Sequence, residues 1–245
     1  MRVIVIGAGE AQDPNFINSA VVVEAKGFRL LIDCGYSVPQ ALWRRFPDPD
    51  AIDAVYFTHH HADHCFGIVP VASQWKDGGR TKPLPVYTTA AGRTFLTRLL
   101  TLGRLAPVAK LPYDLTFRDI SESPRIGPFR AAYARSRHSV VNHSIRLEAG
   151  GATLGYSGDG FPTAATRRLF RGVDALIHEC YDVRPLPPPG FHCDVETCLD
   201  LGKAVGVRRL FLIHPRKEAR SAITRRIAGL RSVALLKPDQ IVSVR

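Results

Sequence analysis

Between Thr58 and His64 the chain reads Thr-His-His-His-Ala-Asp-His, with Gly67 three residues further on. Four imidazoles and a carboxylate within six positions add nothing to an apolar core, because each polar group would need its own partner once buried. Metal ligation supplies such partners. The preceding segment, Asp53 to Phe57, reads as a strand. At a strand-to-helix turn alternate residues such as His59 and His61 can face one metal, while Asp63 and His64, opening the next helix, can face a second. The competing reading is a histidine-rich surface loop that binds metal adventitiously.

The elements that must hold this turn are legible as alternating signals. Strand patterns occur at Arg2 to Ile6, Ser19 to Glu24, Arg29 to Asp33, Asp53 to Thr58, Val86 to Thr88, Phe129 to Ala134, Ser144 to Glu148, Ala152 to Ser157, Ala175 to His178, Arg209 to Ile213 and Ile241 to Val244. Helical stretches fall at Ala90 to Leu102, Thr163 to Phe170, Asp194 to Val205 and Glu218 to Leu230. In the third, Asp194 can cap the start, while Val195, Cys198, Leu199, Gly202 and Val205 repeat on one face. Hairpin-like pairs near both ends favour a layered α/β domain over a doubly wound sheet. No fixed-period repeat interrupts the pattern, and the proline run Pro185 to Pro189 is a stiff loop leading into His192.

A chain of 245 residues with 45% hydrophobic and 22% charged residues fits one globular domain, residues 1–245, and excludes disorder, coiled coil and collagen-like fibre. No apolar run approaches the ~20 residues of a membrane crossing. The strand-like Val3-Ile4-Val5-Ile6 opens the chain in place of a secretory signal, so a cytoplasmic location is expected. The five cysteines, Cys34, Cys65, Cys180, Cys193 and Cys198, contain no Cys-x-x-Cys pair. They read as reduced thiols rather than a disulfide framework or a zinc knot. The formal charge is +11. It concentrates in acid-free stretches, Gly78 to Tyr113 and Ser123 to Leu147, and in Arg208 to Arg231, where eight basic residues face only Glu218. Such a field favours anionic ligands, though a solvated basic surface is the plain alternative.

With the His-x-His-x-Asp-His turn in place, the sequence resembles the metallo-β-lactamase fold superfamily. The resemblance runs over almost the whole chain. By it, His138 matches the third histidine of a first metal site, Asp159 a bridging carboxylate and His214 the last histidine, each in a strand-end context. The implied site holds two divalent metals, with His59, His61 and His138 on one, Asp63, His64 and His214 on the other, and Asp159 between. Nitrogen and oxygen ligands suit zinc, while manganese or iron would also fit. Two such ions, ~3.5–4 Å apart, can hold a hydroxide and neutralise charge on a substrate oxygen. Asp63 is thereby also a candidate catalytic residue.

These ligands serve many ester hydrolases, so the substrate must be sought in the neighbours. Ile177-His178-Glu179 and His192 resemble the His-Glu and second-histidine motifs of the tRNA 3′-processing endonucleases and their smaller phosphodiesterase relatives. By that similarity, His192 donates a proton to the leaving alkoxide and Glu179 orients it, a device worth about 10²–10⁴ in rate. Only 21 positions separate His138 from Asp159, leaving no room for the tRNA-gripping arm of those endonucleases. The compact layout is closer to the small cyclic-phosphate diesterase of phosphonate degradation, without its N-terminal cysteine zinc site. Gly7-Ala8-Gly9 could suggest a dinucleotide turn, but Gln12 stands where the third glycine belongs.

The resulting expectation is an αββα sandwich with a dinuclear cleft at one edge. It would hydrolyse a small or cyclic nucleotide-like phosphodiester by attack of a metal-held hydroxide, with His192 as acid. Arg137, Arg216 and Lys217, adjacent to ligands in sequence, are candidates to hold phosphate oxygens. The rivals are a carboxylic ester, thioester or lactone hydrolase on the same metals, and a nucleic-acid-binding module with a structural metal. The expected partner is a small anionic substrate rather than nucleic acid or a membrane; the sequence leaves homodimerisation open.

Overall fold

The computed structural model describes residues 1–105 and 111–245; Lys110, one of the basic residues of the Gly78 to Tyr113 stretch, lies outside them. Fourteen strands form two seven-stranded sheets. The first, in spatial order, is β14 (Ile241–Ser243), β1 (Arg2–Gly7), β2 (Ala20–Ala25), β3 (Phe28–Ile32), β4 (Ala54–Tyr56), β5 (Leu84–Thr88) and β6 (Leu115–Asp119). The second is β13 (Val233–Leu235), β12 (Arg209–Ile213), β11 (Ala175–Glu179), β10 (Ala152–Tyr156), β9 (His143–Ala149), β8 (Phe129–Arg135) and β7 (Arg125–Ile126).

Each sheet changes character halfway across. β14, β1, β2 and β3 pair antiparallel, whereas β3 through β6 run parallel. In the second sheet β7, β8, β9 and β10 pair antiparallel and β10 through β13 run parallel. Parallel neighbours need crossovers. In the first sheet these are α1 (Pro39–Arg45), α2 (Ala62–Cys65) with α3 (Ile68–Asp77), and α4 (Ala90–Leu102). In the second they are α5 (Ala164–Phe170), α6 (Val195–Val205) and α7 (Arg220–Arg226). Val3, Val21, Leu30, Phe129, Ile145 and Ile177 meet in the core between the sheets. One outer face packs Leu42, Val71, Trp75 and Leu96, the other Phe170, Val195, Leu201 and Ile223. This is the αββα sandwich of the metallo-β-lactamase fold.

Several elements differ from the sequence reading. β6, β7 and β13 lie at or beside sheet edges, where short strands with exposed alternate residues carry little hydrophobic signal. α1 has a proline in its first turn and α3 carries Pro70 at its third position. Both prolines read as breaks, yet a first-turn proline gives up only an N–H that has no helical partner. The Glu218 to Leu230 signal contracts to Arg220–Arg226, because residues 216–219 form a turn (Ala219 N–H to Arg216 C=O, 3.0 Å) and Gly229 leaves helical space at φ +85°. α6 is capped as expected, the Asp194 side chain accepting from Thr197 N–H, but Leu201 rather than Leu199 completes its buried face.

Not all of the basic field faces solvent. Arg80 is buried against Trp75 and donates to the carbonyls of Pro49, Ile52, Lys82 and Pro83 at 2.6–3.0 Å. It ties the loop before β4 to the loop before β5. Among the described residues no helix is long and apolar enough to cross a membrane.

Candidate metal centre

The C-terminal ends of the parallel strands of both sheets converge on one edge of the sandwich, the place where open α/β sheets offer loops to a ligand. β3 delivers Asp33, β4 the histidine turn, β10 Asp159, β11 Glu179 and β12 His214. His138 enters from the loop between β8 and β9, and His192 from the loop that connects β11 to α6.

Donor atoms of His59, His61, His138 and Asp159 lie within 4.8 Å of one another, as do those of Asp63, His64 and His214. Asp159 Oδ2 sits between the groups, 3.8 Å from His59 Nε2, 4.0 Å from His138 Nε2, and 3.5 Å from both His64 Nε2 and His214 Nε2. Asp63 Oδ2 is 3.2 Å from His214 Nε2 and 3.4 Å from His64 Nε2. The middle histidine of the turn points elsewhere: His60 Nε2 meets Thr88 Oγ1 at 2.9 Å, and burial pulls its pKa down to about 4.

Backbone geometry explains the aim of these side chains. Asp33 and His214 both occupy the left-handed region, at φ +60° and +65°, which costs a non-glycine residue of order 1–3 kcal/mol. The surroundings hold them there: Asp33 N–H donates to Tyr56 C=O at 2.9 Å and His214 N–H to Ala8 C=O at 3.2 Å. Thus the Gly7-Ala8-Gly9 turn braces a site histidine. Gly160, at φ +103°, follows Asp159; a Cβ there would meet Arg137 O at 2.5 Å and His138 Cβ at 2.8 Å. Asn142 secures the other side, its Oδ1 accepting from Asp159 N–H at 3.1 Å.

Outer nitrogens are fixed so that the inner ones face the centre. His64 Nδ1 donates to Asp33 Oδ2 at 2.9 Å, and Asp33 also accepts from Thr58 N–H (2.9 Å) and Thr58 Oγ1 (2.8 Å). His138 Nδ1 is 3.2 Å from Phe191 C=O, and His59 Nδ1 is 3.0 Å from Thr58 Oγ1. Inside the cage, bonding fails. His59 Nε2 is buried without a partner, and His138 Nε2 approaches His61 Nδ1 at 3.2 Å while His64 Nε2 approaches His214 Nε2 at 3.4 Å. Facing lone pairs at such spacing suit a shared cation: two ligands of a tetrahedral site with bonds of ~2.0–2.1 Å lie roughly 3.3 Å apart.

The electrostatics point the same way. Burial alone would raise Asp159 and Asp63, yet the histidines around them hold both well below the ordinary carboxylate range. Burial would lower His64, but Asp159, Asp33 and Asp63 raise it well above the ordinary imidazole value. A field negative enough to keep these carboxylates ionised and to raise the proton affinity of a buried imidazole favours divalent cations, which would take the place of the proton on His64 Nε2. The residues therefore fit two ions, held by nitrogen and oxygen.

Beside the cage, His192 Nδ1 lies 3.3 Å from Glu179 Oε1 and 3.8 Å from Asp159 Oδ2. Glu179 is fully buried, its Oε1 also accepting from Gly160 N–H at 2.7 Å. Burial pulls the His192 pKa down, but Glu179 and then Asp159 outweigh it and raise it to about 9. The ring is stacked on Tyr181, 4.7 Å between centroids.

The suggested phosphate-binding residues fare differently. Arg137 is exposed near the rim, its guanidinium 4.2 Å over the Phe161 ring. Arg216 is partly exposed, its Nε 2.6 Å from Asp182 Oδ2. Lys217 is exposed next to it. Sequence reasoning missed Asp33, Thr58, Asn142 and Tyr181. Only Asp33 left a trace, as a carboxylate closing the apolar run Leu30-Leu31-Ile32.

With the geometry established, comparison with known proteins is informative. The family model described as "Anti-Pycsar protein Apyc1" matches residues 1–229. An anti-Pycsar protein Apyc1 of Bacillus phage 010DV004 is 40% identical over 92 residues, 36% of either chain. A ribonuclease Z of Methanosarcina mazei is 24% identical over 87% of both. Among solved structures, human short-form tRNase Z superposes with a TM-score of 0.81 at 19% identity, over 100% of both chains. A diphosphatase of the PhnP family reaches 0.81 at 16% identity, over 100% of this chain and 98% of its own.

Proposed function

This chain belongs to the anti-Pycsar protein Apyc1 family and is a metal-dependent hydrolase; from that premise we propose that it hydrolyses small phosphodiesters, cyclic nucleotides foremost. The observation that carries the reading is the His192–Glu179 pair set beside Asp159 at the rim of the cage. The thiolate of a thioester leaves without such an acid far more readily than a phosphodiester alkoxide, so a dedicated proton donor favours the phosphodiester over the thioester.

In this reading His59, His61, His138 and Asp159 hold one ion, and Asp63, His64, His214 and Asp159 the other. Bound there, two divalent ions, zinc foremost, supply activated water and Lewis-acid polarisation of the phosphoryl oxygens. The chain's own residues do the rest. Glu179 Oε1 keeps a proton on His192 Nδ1, which leaves Nε2 to carry the proton delivered to the departing oxygen. With the charge of Asp159 committed to cations, Glu179 is what maintains His192 in its acid form. Tyr181 fixes the plane of the ring. Arg137, next to His138 in the chain and held over Phe161, would meet a phosphate oxygen, and the exposed Lys217 would add positive charge.

Parallel assays of a 3′,5′-cyclic nucleotide, bis(p-nitrophenyl) phosphate, a lactone and a thioester test the proposal. Turnover of the first two is expected, with the cyclic-nucleotide rate reduced about 10²–10⁴-fold in His192→Ala at unchanged metal content and that of bis(p-nitrophenyl) phosphate, whose nitrophenolate departs unprotonated, reduced far less. Turnover of the lactone or thioester alone, or equal cyclic-nucleotide activity in His192→Ala, would overturn it.

A further inference from the structure

Behind the His192–Glu179 pair, the apolar layer between β11 and α6 contains a second collection of ligand-type side chains. His178 lies on β11, Cys180 just after it, Cys193 next to His192 and Cys198 on α6; all four are buried, at 0–1% exposure. Donor atoms of His178, Cys193 and Cys198 lie within 4.8 Å of one another, while Cys180 Sγ, 3.8 Å from the Asp182 carbonyl oxygen, lies outside that set. Cys198 Sγ is 3.8 Å from His178 Nδ1. Spread over 21 positions with no Cys-x-x-Cys spacing, the set is assembled by the fold alone.

We infer that His178, Cys193 and Cys198 form a structural site for one thiophilic divalent cation, zinc, distinct from the dinuclear cage, with the nearby thiol of Cys180 turning in to close it. Two sulfurs and one imidazole nitrogen are three ligands of a tetrahedral set, and the Cys180 thiol is the fourth once it turns toward them. Bonds of ~2.3 Å to sulfur and ~2.0–2.1 Å to nitrogen place those donors roughly 3.6 Å apart, close to the separation observed between Cys198 and His178. Softness separates the two sites: thiolates select zinc over manganese, whereas the cage offers only nitrogen and oxygen.

Binding is a ligand exchange without redox chemistry. The three thiols release their protons to solvent as sulfur–metal bonds form. His178 Nδ1 exchanges its 2.8 Å contact with Glu179 C=O for the metal, as Cys198 Sγ does its 3.1 Å contact with the same carbonyl. The consequence is positional. Cys180 follows Glu179 and Cys193 follows His192, so one ion clamps the two segments that carry the proton donor and its partner.

Cobalt loading of the intact protein tests this, because sulfur-to-cobalt charge-transfer absorption can arise only from thiolate ligands. The wild-type protein is expected to bind three cobalt ions per chain and to show that absorption. Cys198→Ala is expected to lose the absorption and one ion while the two of the cage remain. Two ions and no charge-transfer band in the wild type would overturn the inference, whatever the variant does. A band that survives in Cys198→Ala would also overturn it.

Discussion

The two ends of the cage are built to different tolerances. Asp63, His64 and His214 are all buried, His64 is tied to the strained Asp33, and His214 is itself held in left-handed backbone by the Ala8 carbonyl. At the other end His61 is partly exposed, and the outer nitrogen of the buried His138 imidazole leans on Phe191 in the loop that carries His192. One end belongs to the folded core; the other shares its supports with His192, the proposed acid. Mutations at the inner end should therefore register as lost metal and lost stability, and loss of His192 beside the outer end as lost rate.

The largest effect should come from His64→Ala. It leaves the Asp33 carboxylate buried without its imidazole, a change that typically costs about 3–5 kcal/mol, and removes a donor from the inner group. Urea unfolding should show the loss, and elemental analysis fewer ions per chain. His192→Ala sharpens the contrast: the cyclic-nucleotide rate should fall about 10²–10⁴-fold while the unfolding midpoint and metal content stay put. Asp33→Asn should weaken metal affinity by about 10–100-fold, the usual effect of removing a partner behind a ligand, as read by chelator competition. Gly160→Ala should cost about 1–3 kcal/mol, because the new methyl at φ +103° presses on Arg137 and His138, and thermal unfolding checks it. Smallest is Arg216→Ala: removing a partly exposed pair with Asp182 should change stability by no more than about 1 kcal/mol and leave KM for a cyclic nucleotide unaltered. A raised KM would return Arg216 to the substrate.

The same division explains what the sequence made visible. The histidine turn could be read because six consecutive residues with no value to a core carry their own signal, and the parallel strands because buried apolar runs do. Asp33 was opaque: a single carboxylate after a strand is usually a loop residue, and its role follows from a positive φ and from His64, 31 positions away. Asn142 and Tyr181 act through contacts that only the closed sandwich creates. Adjacency of Arg216 to His214 in sequence gave no sign of Asp182, which lies beside its guanidinium in space. Among the elements, α1 and α3 were hidden by prolines that a first helical turn accommodates.

The account rests on one cage shared by two ions, and anomalous X-ray diffraction from zinc-loaded crystals reads it directly. It predicts two peaks at the strand ends, one among His59, His61 and His138 and one among Asp63, His64 and His214, with the Asp159 carboxylate touching both. A single peak in the cage, or none at any zinc concentration, would contradict it.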